Sequence, residues 1–190
     1  MSWKPGRPVS FETARFRVRS LRAEDVTERF MSWFHDPEIM DMVVIQTPPT
    51  RALFIRGLRA YNNVSRFYLG IFETASDKLI GYFRVLCDPK HLRARTTTVI
   101  GDRDYWGGDV VLETRAALLD FLFEAAGMHK VVSMVFTRNL PAVFNNKAQG
   151  FRLEGILKSQ GPAPGGGRRD LYAFALLRRE WAARKAPRRS

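Results

Sequence analysis

Short runs of this chain alternate apolar and polar residues, and longer runs repeat apolar residues at helical spacing. Phe16 and Val18 alternate with arginines, which predicts a first strand over about 15–21. Val26, Phe30, Trp33 and Phe34 fall on one side of a helix that can begin at Glu24 or Asp25, and Asp36-Pro37 is expected to end it. Residues 46–49 read as a loop. Thr50 can then cap a helix to about Tyr61, with Leu53, Phe54, Leu58 and Tyr61 on one face. A strand pair is predicted over 67–72 and 79–86, joined by the turn Ala75-Ser76-Asp77. The next strand, 92–100, ends in the β-branched run Thr96-Thr97-Thr98-Val99-Ile100. A long helix follows from Val110 to about Ala126, with Gly127 as its C-cap. The apolar run 130–137 is a strand, and Asn139-Leu140-Pro141 opens a helix that Gly150 ends. Strands over 151–159 and 169–177, joined by a Gly- and Pro-rich loop at 161–167, complete the chain. The order β-α-α-β-β-β-α-β-α-β-β predicts a mixed sheet with helices packed against it, an α/β (α+β) arrangement.

The 190 residues suffice for one domain with one sizeable core. The expected division is a loose lead-in over 1–14, a single domain over 15–181 and a basic flexible tail over 182–190. The net charge is +12, and residues 168–190 hold eight Lys/Arg against Asp170 and Glu180. Half the excess therefore lies in the last strand and tail, which reads first as a solvated basic end. No zinc-finger spacing, RNA-binding aromatic strand pattern or recognition helix supports nucleic-acid binding. Cys87 is the only cysteine, so no internal disulfide forms, and it reads as a small core residue. His91 and His129 have no metal-ligand spacing to each other or to Cys87, so no metal is expected. Neither a signal peptide nor a run of membrane-spanning length is legible, and a cytoplasmic location is expected.

The stretch from Ile100 to Glu113 is the centre of the functional reading. It places a strand end, the turn Gly107-Gly108 and a helix start in succession. Free N–H groups and a partial positive charge at a helix start can hold a phosphate.

Four segments together are similar to the GCN5-related N-acetyltransferase (GNAT) superfamily, in particular to its RimJ/RimL-type branch and related amino-sugar acetyltransferases. Trp33-Phe34-His35-Asp36-Pro37-Glu38 resembles the branch's W-x-x-D-P-E element. Ile100-Gly101-Asp102 with Tyr105-Trp106-Gly107 resembles its approach to the phosphate turn. Asn139 and Gly150-Phe151 have the N-x10-G-F spacing, followed by Glu154-Gly155. Asp170, Tyr172, Leu177 and Glu180-Trp181 resemble its closing strand. The match spans about 15–182. The resemblance implies a mostly antiparallel sheet of about seven strands with helices on both faces and its fourth and fifth strands splayed. It implies acetyl-coenzyme A as co-substrate, an amine acceptor and transfer to that primary amine. Two acceptor classes fit the branch, an amino sugar on a nucleotide and a protein N-terminus. A second copy of the chain is a candidate partner. Backbone around Val99, Ile100 and Gly101 is expected to pair with the pantetheine arm. Trp106, Gly107, Gly108, Asp109 and Val110 are expected to surround the pyrophosphate, with Asn139 and Asn146 also touching the cofactor.

The match has departures. Asp109 replaces the inner glycine of the family's phosphate turn, and Val111 replaces a small residue. A carboxylate there repels phosphate and can cap the helix, taking the N–H groups the ligand needs. Gly108 could shift the turn by one residue in compensation. Asn146 stands where many members have a thiolate-protonating Tyr; it can donate a hydrogen bond but not a proton. Ala142 stands where the branch often has Ser. Asn146 and Glu73 are the catalytic candidates, and Asp102, Asp41 and His35 are further places to look for a base. The alternative reading is a non-catalytic module with altered or lost coenzyme A binding that holds a small molecule or a protein.

Overall fold

The computed structural model describes residues 3–43, 49–163 and 166–185. Eight strands form one sheet in the order β1-β2-β3-β4-β5-β6-β8-β7. They are β1 (Ser10–Glu12), β2 (Phe16–Ser20), β3 (Arg66–Glu73), β4 (Leu79–Asp88), β5 (Arg93–Ile100), β6 (Lys130–Phe136), β7 (Arg152–Pro162) and β8 (Arg168–Leu177). Every neighbouring pair is antiparallel except β5 and β6. That parallel pair holds only from Arg93–Lys130 to Thr96–Ser133. Beyond it, β5 runs on to Ile100 and β6 to Phe136 without partnering each other, so the sheet forks there.

The helices are α1 (Glu28–Ser32), α2 (Pro37–Met42), α3 (Arg51–Leu58), α4 (Val110–Asp120), α5 (Leu140–Ala148) and α6 (Arg178–Lys185). Alternation along the strands gives the sheet two apolar faces. One buries Val18, Leu69, Phe83, Val131 and Leu176 beneath Leu118, Leu119 and Leu122 of α4 and the π turn that continues it. The other buries Tyr68, Tyr82 and Val99 beneath Phe30, Phe34 and Ile39 of the α1–α2 region, with α3 packed against them.

Several elements differ from expectation for local reasons. The lead-in is not loose where it is described. Val9 and Phe11 are buried, β1 pairs with β2, and the Trp3 ring lies 5.2 Å from Phe121. A three-residue edge strand is too short to show alternation in the sequence. The helix expected from Glu24 or Asp25 is instead a 3-10 turn, Ala23–Asp25. Thr27 then caps α1 by accepting the Phe30 N–H at 3.2 Å. Asp36-Pro37 starts a helix rather than ending one. The Asp36 carboxylate accepts the Glu38 and Ile39 N–H groups, and proline occupies an early position where its missing N–H costs nothing. Thr50 caps α3 as its chemistry predicts. Of the loop expected at 46–49, residues 46–48 lie outside the described residues. Of the loop expected at 161–167, Gly161 and Pro162 belong to β7, and residues 164–165 lie outside the described residues. The expected tail is helical in α6 as far as Lys185, whose ammonium pairs with Asp120 and Glu124; residues 186–190 lie outside the described residues.

Candidate active site

The approach to α4 is built from a chain of local bonds. Gly101 follows β5 and donates its N–H to the Ile80 carbonyl at 2.9 Å. Asp102 caps a 3-10 turn, Arg103–Tyr105. The Trp106 indole then folds back to donate to the Ile100 carbonyl at 2.9 Å. Gly107 (φ +76°) and Asp109 (φ 58°) adopt left-handed backbone conformations and swing the chain into α4. Glycine adopts that conformation freely, whereas Asp109 does so at a cost of roughly 1–2 kcal/mol.

The consequence is a row of open donors. From Gly107 to Leu112 no backbone N–H donates to an acceptor among the described residues; the first inward bond is Glu113 N–H to the Asp109 carbonyl, 2.9 Å. Asp109 is exposed and its carboxylate makes no cap bond. The competition that its presence suggested for these N–H groups therefore does not occur. Gly107, Gly108 and Trp106 are exposed around the same turn, while Val110 is buried beneath it and Val111 is half-buried.

A strap holds the turn from behind. The Arg15 guanidinium donates to the Gly108 carbonyl (3.0 Å) and to Glu113 (2.7 Å). Glu113 also accepts from the Thr13 hydroxyl (2.6 Å) and the Arg15 N–H (2.8 Å). Burial works against the Glu113 carboxylate, but these donors outweigh it and hold its pKa below the usual 4.5. The stability they supply is complete above the ordinary glutamate range and is lost as pH falls through the lower folded value. A Glu113→Gln variant should therefore lose the acid-side slope that this group adds. Urea midpoints measured between about pH 3 and 6 check this.

At the fork, antiparallel pairing decides which backbone groups are free. Because Gly101 bonds toward β4, alternate residues Val99 and Thr97 do so too, and Thr98 and the Ile100 N–H are left on the side of the gap beside β6, the Ile100 carbonyl being taken by Trp106. Gly101 thus offers no free N–H; its role is to leave room for Trp33. Val99 likewise turns its backbone to β4 and its side chain into the core. Thr98 was not singled out from sequence, since only the strand register identifies it.

Two other candidates separate from this centre. Asn139 is a helix cap: its side chain accepts the Ala142 N–H at 3.1 Å, and its amide reaches the Met42 carbonyl at 3.4 Å. Asn146 is fully buried between α4 and α5, where its side-chain oxygen accepts from Arg115 at 3.1 Å. Arg115 is itself buried, bonded also to Gln149 and stacked over Phe151, with no carboxylate on it among the described residues; burial pushes its pKa down to about 9. Sequence reasoning missed this cluster because a lone arginine within a helix looks like a surface residue.

Glu73 lines a groove with Arg15, Tyr105, Gly108 and Val110, so it borders the same turn. Ser76 and Tyr105 donate to it and hold its carboxyl below the usual range. Asp102 is held by Arg29 at 2.5 Å and Lys78 at 2.7 Å. Burial opposes its ionisation, but Lys78, the Asp104 N–H and Arg29 prevail and lower its pKa. Asp41 is paired with Arg138 and Arg169. None of these three carboxylates stands free. His35 is exposed on the turn before α2. Burial pushes the Cys87 thiol up to about 12, which leaves it unreactive near neutral pH. Among the described residues no three His, Cys, Asp or Glu side chains gather as a metal site, and no helix is long and apolar enough to cross a membrane.

Similarity to known proteins identifies the family to which this forked sheet belongs. The family model for the acetyltransferase (GNAT) domain matches residues 15–152. A curated relative, the uncharacterized N-acetyltransferase p20 of Bacillus licheniformis, is 28% identical over 179 residues, covering 90% of this chain and 97% of its own. The spermidine N-acetyltransferase of Vibrio cholerae, solved with CoA and spermine, superposes with a TM-score of 0.81 at 17% identity, covering 89% of this chain and 99% of its own. The ribosomal-protein-S5-alanine acetyltransferase of Vibrio fischeri gives 0.79 at 18% identity, covering 91% and 98%. The match over most of the chain shows that this protein belongs to the GNAT family and is an N-acetyltransferase of that type.

Proposed function

We propose that the chain transfers an acetyl group from acetyl-coenzyme A to a primary amine, with the cofactor's diphosphate on the N–H groups of Gly107 to Leu112. The observation that carries this reading is that unbroken row of donors without protein acceptors. Six backbone donors at a helix start suit a diphosphate, which offers only acceptors. When bound, acetyl-coenzyme A supplies an acyl group activated as a thioester. The half-buried backbone edge at Thr98, with the N–H of Ile100, would order its amide-bearing arm in the fork. Arg15 and Glu113 would keep the turn in its binding shape. An amino sugar carried on a nucleotide and a protein N-terminus are the two acceptor classes considered.

Isothermal titration tests the reading. Acetyl-coenzyme A should bind one to one, and Asp109→Gly should bind about two- to fivefold tighter, because a like charge leaves the helix start. No heat at high micromolar ligand would overturn it. Binding by Asp109→Gly alone would favour a scaffold that has lost its cofactor.

A further inference from the structure

We infer that the amine acceptor carries its own negative charge, a phosphate or carboxylate near the reacting amine, and that Arg95 and Arg84 read it at the fork. The inference rests on the acetyl-transfer reading and narrows its substrate class. The pyrophosphate cradle lies at the start of α4, on one face of the sheet. An acceptor must therefore reach the fork from the opposite face. On that face the apolar cluster under α1, α2 and α3 extends only to Val99. Register fixes what lies beyond it. Arg84 pairs with Thr97, Arg95 with Leu86 across β4–β5, and Arg95 with Val132 across β5–β6. Arg84, Arg95, Thr97 and Met134 therefore share this face, and Arg95 stands just before the strands separate. Arg95 and Met134 are exposed and Arg84 is half-exposed.

Neither arginine has a carboxylate partner among the described residues; Arg84 donates only to the Tyr61 hydroxyl, at 2.9 Å. As diagonal cross-strand neighbours they are about 7–8 Å apart, close enough to grip one anionic group together. The carboxylate along the same strand and two of the candidate bases are all engaged elsewhere. Asp88, further along β4, is held by His91 and Arg93; Asp41 by Arg138 and Arg169; Asp102 by Arg29 and Lys78. A polyamine would meet two guanidiniums here that have no carboxylate partner among the described residues.

The test measures release of free coenzyme A with matched amines. Glucosamine is compared with glucosamine 6-phosphate, the peptide amide Ala-Gly-Gly with Ala-Asp-Glu, and spermidine stands as the polycation. An anionic member should exceed its uncharged counterpart about tenfold in kcat/KM. Which pair responds distinguishes phosphate from carboxylate. In Arg95→Gln that preference should fall about fivefold or more through KM. Arg95 is exposed and unbonded, so the fold should tolerate the change; Arg84→Gln provides the second variant. Spermidine or an uncharged amine serving as well as its anionic counterpart, or a preference unmoved in Arg95→Gln, would overturn the inference. Titration of acetyl-coenzyme A into the same proteins reports separately on the acetyl-transfer reading.

Discussion

A Gly101→Ala variant should melt about 6–12 °C below the wild type, from a loss of about 3 kcal/mol. A Cβ on Gly101 would lie 1.9 Å from Cδ2 of Trp33 and 2.3 Å from its Cε2. Neither side can easily give way. Trp33 is buried and meets the Phe30 ring edge to face at 5.3 Å. Gly101 is tied to Ile80 through its N–H. The requirement for glycine is thus one of space, set by an aromatic ring from a helix turn far away in sequence. Thermal unfolding measures the loss, and a double-mutant cycle identifies its cause. In a Trp33→Leu background the same glycine change should cost much less. An equal cost in both backgrounds would place the strain elsewhere. Since Gly101 links β5 to the donor row, weaker acetyl-coenzyme A binding should accompany the lower melting point.

Phe11→Ala should lower stability by about 3–5 kcal/mol and the melting temperature by about 6–20 °C. Phe11 lies in the main core, pairs in register with Val18 and stacks on Phe121 at 6.0 Å. A loose lead-in would tolerate this change almost without effect, so the variant separates the two descriptions sharply. The segment also matters to the site. Two residues after Phe11 comes Thr13, then Arg15, and both bond to Glu113. Loosening β1 should therefore also weaken the strap behind the donor row. Denaturant unfolding measures the first effect and acetyl-coenzyme A titration the second.

Much of the fold was legible because its cues are local. The β-branched run before Gly101, the Thr50 cap and the glycine turn each act within a few residues. The order of elements and the spacing of four motifs carried the family. What escaped depended on tertiary structure. A three-residue strand has no period to read, so β1 appears only when Phe11 finds Phe121. Asp36-Pro37 can end one helix or start the next, and sequence alone does not choose. At the site, the donor row was anticipated, but the roles of single residues changed. Asn139 was drawn to the cap of α5 and Asn146 to buried Arg115, while the strand register kept the Ile100 N–H at the open edge and exchanged Val99 and Gly101 for Thr98. Asp109 is the instructive case. Its type suggested competition with phosphate, yet its left-handed backbone and uncapped carboxylate leave the N–H groups unoccupied. Side-chain identity gives the potential for a bond; the backbone decides whether it forms.

The central claim is that those particular amides face a diphosphate. Amide-resolved NMR during titration with acetyl-coenzyme A tests it most directly. The account predicts that the largest backbone N–H shifts fall from Gly107 to Leu112, with smaller ones at Thr98 and Ile100. Binding that shifts amides elsewhere and leaves Gly107 to Leu112 unmoved would contradict it.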